Sequence, residues 1–497
     1  MDTDEFRRCG TDMVNYVADY FDTLRSRPVM PYVQHGFLKK LIPEKAPHKA
    51  ESYEDVKKDL EDVVLKGVLH WRSPHFHAFV PLASSFPALI ADMLVGALSS
   101  MPITWSANPS GTELEVAMMD WLGQMLKLPE EFLFSSGGKG GGVIQMTADD
   151  SATVAIIAAR ARAVREHGDM TPGQTLDKLV AYTSAEAHTC IKKAAQLALV
   201  NIRLLPTDEN FSLRGQTLAA AIKEDKNKGF IPFFLGASVG TTSTIAVDNL
   251  CELGKICEQE NVWMHIDAAY AGSAAICPEF RYLINGVEYS TSFCLNPHKW
   301  LHVNLLCSAM WIKDRELITE PFNVDPVYLR NHNLNGDVKM PDYRHWTIQL
   351  SRPFTSLKLW FVLRMYGVQQ LQERIRKDVK LAKQFEALVR NDHRFEIVAQ
   401  VVLGVVCFKL KGKNNDVNEE LLKRINDDRR IYLTPSTSKG VFYLRFCIAV
   451  YTTDSKDVSF AWNIVQEQTD VLLGLHVNGI DEKTKKIDKV DATECFQ

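Results

Sequence analysis

Residues 292–300 read SFCLNPHKW. A mostly apolar run stops at Asn296-Pro297, and one lysine, Lys299, follows between a histidine and a tryptophan. Lysine is strongly hydrated and rarely fully buried, so an amine placed straight after an interior strand needs a reason. Upstream, VWMHIDAAY (262–270) repeats the arrangement with the opposite charge, because Asp267 ends its apolar run. KLVAYTS (178–184), IRLLPT (202–207) and FIPFFLGAS (230–238) are further short apolar runs. Helical stretches such as SATVAIIAARARAVREHG (151–168) and LCELGKICEQEN (250–261) lie between them. Near-continuous apolar strands alternating with helices predict an α/β fold, a mainly parallel sheet covered on both faces. In such sheets the chemistry sits beyond the carboxyl ends of the strands, so Asp267 and Lys299 are predicted to converge on one pocket. A buried salt bridge, or two solvated loop residues, is the alternative reading for either residue alone.

On the N-terminal side, Phe6, Met13, Val17, Phe21 and Leu24 fall at helical spacing and predict an amphipathic helix over 5–25. Residues 29–55 bear prolines and read as an extended arm. The segment 1–84 has no sheet of its own and is expected to pack on the main body or on a second copy of the chain. FPALIADMLVGALSSMPITW (86–105) contains Asp92 and two prolines and reads as a core helix followed by a loop rather than a membrane span. On the C-terminal side, 350–391 reads as one long helix, followed by strands near 394–399, 405–410 and 441–450. The expected organisation is an N-terminal helical arm (1–84), a large cofactor-binding domain (85–370), a small C-terminal α+β domain (371–477) and a frayed tail (478–497).

Composition narrows the function. The chain has 497 residues, 46% hydrophobic and 24% charged, with a net charge of −4. This mild acidity leaves no electrostatic footprint for nucleic acid or an anionic membrane and favours a small-molecule partner. MDTDEFRRCG has no apolar h-region. The ten cysteines contain no CxxC pair, which fits reduced thiols in a cytoplasmic protein. His75 and His77, or His298 and His302, have spacings that suggest metal ligands, but no carboxylate or cysteine pattern accompanies them, so no metal is expected.

The glycine-rich stretch SSGGKGGGVIQMTADDSAT (135–153) is neither a Walker loop nor GxGxxG. A flexible loop is the plain reading of a glycine run. This one leads into Thr147-Ala148 and a helix whose free N–H groups can hold a phosphate. A phosphate cradle, a strand-end aspartate and a strand-end lysine together make a pyridoxal-phosphate site. There the lysine forms a Schiff base with the cofactor aldehyde, and the aspartate keeps the pyridine nitrogen protonated.

At this point a resemblance becomes specific. YTSAEAH, HIDAAYAGS and NPHKW, with SPHFHAF (73–79), NPSGTELEVAMMDWLG (108–123), VDPVYLR (324–330), DYRHW (342–346) and SLKLWFVLRMYGV (356–368), resemble the group II pyridoxal-phosphate decarboxylases, in the aromatic L-amino-acid decarboxylase branch. The resemblance spans roughly residues 1–475. It implies a fold-type I transferase with a mainly parallel seven-stranded sheet flanked by helices, and a homodimer whose active site lies at the subunit interface. It implies Lys299 as the Schiff-base lysine, Asp267 on the pyridine nitrogen, and His188 stacked on the cofactor ring near the substrate carboxylate. Thr242 would lie beside the cofactor, and Thr147, Ala148, Asp149, Asn296 and His298 at its phosphate end. Tyr328, on a loop at about 323–342, would protonate the α-carbon after carbon dioxide leaves. The implied reaction converts an aromatic L-amino acid to its amine.

The departures from the family bear on substrate and outcome. Thr147-Ala148-Asp149 stands where serine-alanine-serine is usual, which places a carboxylate beside a phosphate dianion, an unfavourable like-charge contact. Either Asp149 turns away and serves through its backbone N–H, or cofactor affinity falls. Catechol-acting relatives usually carry tyrosine, phenylalanine and threonine where this chain has Phe79, Val80 and Leu82. Residues 99–103, ending at Ile103, replace a stretch usually holding glycine then phenylalanine, and Ser351 stands where relatives have glycine or serine. These cues make the pocket more aliphatic and do not agree on one substrate. An aromatic acetaldehyde synthase, a histidine-decarboxylase-like enzyme and a non-catalytic paralogue remain as alternatives. The presence of both His188 and Tyr328 favours plain decarboxylation.

Overall fold

The computed structural model describes residues 1–80, 82–323, 340–448 and 450–475. The large sheet is built from β1 (Gly141–Gln145), β2 (Leu179–Ser184), β3 (Asn201–Leu205), β4 (Ile231–Ser238), β5 (Trp263–Asp267), β6 (Ser292–Leu295) and β7 (Ser308–Ile312). Its seven strands lie in the order β1-β7-β6-β5-β4-β2-β3. All neighbours from β6 through β3 pair parallel, and β7 alone runs against both of its neighbours. The mainly parallel α/β expectation therefore holds. The five strands predicted from their apolar runs are all present.

β1 and β7 are additions to that reading. β1 lies inside the glycine run, where a flexible loop was the plain expectation. A Cβ on Gly142 would come within 2.5 Å of Met119 and 3.0 Å of Trp311, so the bare backbone is what lets this strand pack beneath those side chains.

Alternation along the strands divides the core. Val180, Tyr182, Met264 and Ile266 face one cluster, while Leu179, Ala181, Trp263 and Cys294 face the other. The second face is covered by the helices Ala148–Glu166 and Thr189–Leu197, through residues such as Val154, Ala155, Cys190 and Ile191. The smaller antiparallel sheet, β8 (Phe395–Ile397), β9 (Val405–Leu410), β10 (Thr434–Ser438) and β11 (Val441–Cys447), has the order β10-β11-β9-β8 and a cluster of its own. Thr355–Asn391 joins the two sheets. It is not one straight helix, because Gly367 (φ 66°, ψ 172°) interrupts it in a conformation open to glycine.

The helix Phe86–Leu98 differs from its expected role. Pro87, Ala88 and Ala91 are buried, but Phe86, Ile90, Met93, Leu94 and Leu98 are exposed. It is a surface helix with an apolar outer stripe, and the sequence misled because both of its faces are apolar. Thr3–Thr23 forms as expected, with only Cys9 buried along it. No helix among the described residues is long and apolar enough to cross a membrane.

Candidate active site

Five loops that follow the carboxyl ends of β1, β2, β4, β5 and β6 meet around a cavity of about 240 Å³. It is lined by all nine residues predicted at the cofactor: Thr147, Ala148, Asp149, His188, Thr242, Asp267, Asn296, His298 and Lys299. Val80 also lines it. Ser238, Gly240, Thr241, Ala269 and Tyr270 line it too and were not singled out from sequence. Their signal was available, since each directly follows or ends β4 or β5. A larger cavity of about 420 Å³, near residues 209–212, 244–247 and 397–402, contains none of the nine residues predicted at the cofactor.

Asp267 and Lys299 come together because β5 and β6 are adjacent and parallel, with Asp267 opposite Cys294 in register. Asp267 is 8% exposed. Its Oδ1 accepts the Ala269 N–H at 3.0 Å, and its Oδ2 accepts the Cys190 thiol at 3.5 Å. Among the described residues it has no ion-pair partner, so the salt bridge that was the alternative reading does not form. A buried carboxylate without a cation is costly, and a cationic ring N–H is the group it lacks. Lys299 is half-buried after the short turn Pro297–Trp300, held by its N–H to Asn296 O at 2.9 Å.

The phosphate end rests on a helix start. Thr147 caps Ala148–Glu166 in a reciprocal box with Asp150: Thr147 N–H donates to Asp150 Oδ2 at 3.0 Å, and Asp150 N–H to Thr147 Oγ1 at 3.3 Å. The Ala148 and Asp149 N–H groups lie in the first turn, where the helix itself supplies no acceptor. The Asp149 carboxylate turns to Lys193 at 3.6 Å. The side chain pairs with Lys193 while Asp149 still lines the cavity, so a carboxylate stays near the helix start. His298 accepts the Cys307 N–H on Nδ1 at 2.9 Å, which leaves the imidazole proton on Nε2. Burial, aided by the Lys299 charge, pushes His298 down to about 4, so the ring is neutral. Buried Asn296 Oδ1 has no hydrogen-bond partner among the described residues. Among the described residues, a carboxylate without a cation, helix N–H groups without an acceptor and an amine without an ion-pair partner match the ring N–H, phosphate and aldehyde of pyridoxal phosphate, and the residues fit it.

His188 caps Thr189–Leu197 and accepts the Cys190 N–H on Nδ1 at 3.2 Å, which places its neutral-state proton on Nε2. The substrate candidates are less well gathered. Phe79 is in left-handed backbone (φ 55°) and stacks on Trp71 with ring centroids 4.9 Å apart instead of lining the cavity. Leu82 presents its carbonyl to Arg72 at 2.9 Å. Ile103 is buried elsewhere, its carbonyl accepting the Arg344 N–H at 3.1 Å. Ser351 lines a separate small cleft with Gln349 and Arg352. Tyr328 lies outside the described residues. His75 pairs with Asp457 at 3.1 Å, and His77 packs on Phe446.

The same architecture recurs in known proteins. A family model described as the pyridoxal-dependent decarboxylase conserved domain matches residues 36–411. The aromatic-L-amino-acid decarboxylase of Rattus norvegicus is 51% identical over 477 residues, covering 95% of this chain and 99% of that protein. Among solved structures, Catharanthus roseus tryptophan decarboxylase in complex with L-tryptophan matches with a TM-score of 0.88 at 40% identity, over 95% of this chain and 99% of that one. Rhodiola rosea 4-hydroxyphenylacetaldehyde synthase matches with a TM-score of 0.89 at 36% identity over the same shares. The motifs, the sheet order, the strand-end cavity and these matches agree: the chain belongs to the pyridoxal-dependent decarboxylase family.

Proposed function

We propose that this protein removes the α-carboxylate of an aromatic L-amino acid as carbon dioxide and releases the amine, using pyridoxal phosphate held in the strand-end cavity. The observation that carries this reading is the meeting of Lys299, Asp267 and His188 at one cavity, in a chain with full-length likeness to an aromatic-L-amino-acid decarboxylase. When bound, pyridoxal phosphate supplies an aldehyde that condenses with an amine and a ring that takes up the electron pair left behind by carbon dioxide. The Ala148 and Asp149 N–H groups, Asn296 and His298 Nε2–H would hold the phosphate, with Thr147 fixing the helix start. Asp267 would hold a proton on the ring nitrogen, Lys299 would supply the resident amine, His188 would cover the ring, and Thr242 would lie beside it. Val80, which also lines the cavity, would border the substrate side chain. Tyr328, outside the described residues, would return one proton to the α-carbon.

Amine and aldehyde products separate at that proton. The likeness to an aldehyde synthase keeps the second outcome in view, and the retention of Tyr328 and His188 favours the amine. Tyr328→Phe is expected to shift the product from amine toward aldehyde, with peroxide and ammonia appearing. A variant that still made only amine at the normal rate would remove Tyr328 from its role.

Asp149 sets a second expectation. Its carboxylate is turned toward Lys193 but remains at the cavity wall, so it still opposes a phosphate dianion. Asp149→Ser is expected to tighten pyridoxal-phosphate binding about fivefold, and Lys193→Ala to weaken it, both fading at high salt. Fluorescence titration of the apoprotein reads this, and equal affinities in all three proteins would show that Asp149 is electrostatically silent.

We also infer a cytoplasmic homodimer with the site at its interface and the 1–84 segment packed partly on the other subunit. The apolar outer stripe of Phe86–Leu98 and the largely unburied Thr3–Thr23 helix support the dimer. Nine described cysteines that are free thiols support the location. A fully active monomer in sedimentation would contradict the dimer.

A further inference from the structure

The reading above needs Asp267 to keep a proton on the cofactor's ring nitrogen, and the donors around its carboxylate decide how firmly it can. Among the described residues the one short hydrogen bond it receives is the Ala269 N–H at 3.0 Å. Its other hydrogen-bond donors among the described residues are thiols. The Cys190 thiol, from the first turn of Thr189–Leu197, lies 3.5 Å from Oδ2. The Cys294 thiol, in register on β6, lies 4.0 Å from Oδ1 and 3.7 Å from His265 Nε2. Both cysteines are buried, at 1% and 0% exposure. Burial, reinforced by the Asp267 charge, pushes both thiols upward, so they stay protonated and can only donate weakly.

A strong donor to a carboxylate stabilises its ionised form and lowers its affinity for a proton. Two thiols fill the space that hydroxyl or amide donors would use and draw off little of the charge. Cys190 also donates its backbone N–H to His188 Nδ1 at 3.2 Å. One residue therefore touches both the ring-covering histidine and the aspartate. We propose that Cys190, backed by Cys294, is a positioning residue that offers Asp267 only a weak donor and so leaves it basic enough to hold the cofactor's ring proton. This rests on pyridoxal phosphate being the cofactor of the site.

The other titratable groups around Asp267 are His265 on β5, His188 at the helix cap, Asp149 at the start of Ala148–Glu166, and Lys299 after β6. Burial pushes His265 down to about 4, so it is neutral and does not compete for the carboxylate as a cation.

The test binds pyridoxal phosphate, isotopically labelled at its ring nitrogen, to wild-type, Cys190→Ser and Cys190→Ala proteins and follows the nitrogen resonance against pH. The serine hydroxyl is a stronger donor, so the ring proton is expected to leave about one pH unit lower than in wild type. The alanine variant adds no donor and is expected to hold the proton to at least the wild-type pH. Titrations that coincide in wild-type and serine proteins, or serine and alanine variants that shift alike, would overturn the proposal. If the serine protein does not fold, the alanine protein decides alone, and earlier release of the proton there would also overturn it. A wild-type protein that binds no pyridoxal phosphate would instead defeat the reading of the site itself.

Discussion

Lys299→Ala protein is expected to fold normally and to lose amine formation by on the order of ten-thousandfold or more, because the resident amine is the group the chemistry requires. The geometry separates function from stability at this position. Lys299 is half-buried at the cavity wall and has no ion-pair partner among the described residues, so its removal leaves no stranded charge. The backbone bond from residue 299 to Asn296 O does not depend on the side chain. The visible absorption of lysine-bound pyridoxal should vanish, while the thermal midpoint of the apoprotein changes little. A small primary amine added to the solution is expected to restore part of the turnover, since what is missing is an amine and not a shape. Retained activity in this variant would remove Lys299 from the centre of the account.

Asp267→Asn is the second large effect, and it should move stability and activity in opposite directions. The asparagine keeps the size and an acceptor for the Ala269 N–H but cannot hold a proton on a ring nitrogen. Turnover is expected to fall about a thousandfold, in the range seen when a charge-stabilising group is removed from an active site. In the apoprotein the same change removes a carboxylate that is 8% exposed and has no cationic partner among the described residues. A buried, unpaired charge destabilises a fold, so the Asn apoprotein is expected to melt higher than the wild-type apoprotein. Calorimetry of both apoproteins, beside steady-state rates with cofactor added, reads the two arms. A lower melting temperature for the variant would mean that Asp267 is compensated in the resting protein.

The cofactor end of the site was legible in the sequence because its side chains directly follow strand ends. Near-continuous apolar runs locate β2, β4, β5 and β6, and the sheet order then brings His188, Thr242, Asp267 and Lys299 to one edge. β1 was not legible, because Gly141-Gly142 looks like a flexible link until Met119 and Trp311 are seen to need the space a Cβ would take. The substrate end was the hard part. Phe79, Leu82, Ile103 and Ser351 owe their positions to tertiary packing: a left-handed backbone turns the Phe79 ring onto Trp71, and a guanidinium holds the Leu82 carbonyl. No periodicity encodes such contacts. The role of the thiols at Asp267 was likewise invisible, since Cys190 and Cys294 meet only through the pairing of β5 with β6 and the docking of Thr189–Leu197.

The most direct test incubates the wild-type holoprotein with DOPA, tyrosine, tryptophan, 5-hydroxytryptophan, phenylalanine and histidine in turn, and measures carbon dioxide, amine and peroxide separately. The account predicts that at least one aromatic amino acid yields carbon dioxide and amine in equal amounts, without peroxide. Carbon dioxide accompanied by aldehyde and peroxide, or a cofactor-loaded protein that releases no carbon dioxide from any of them, would contradict it.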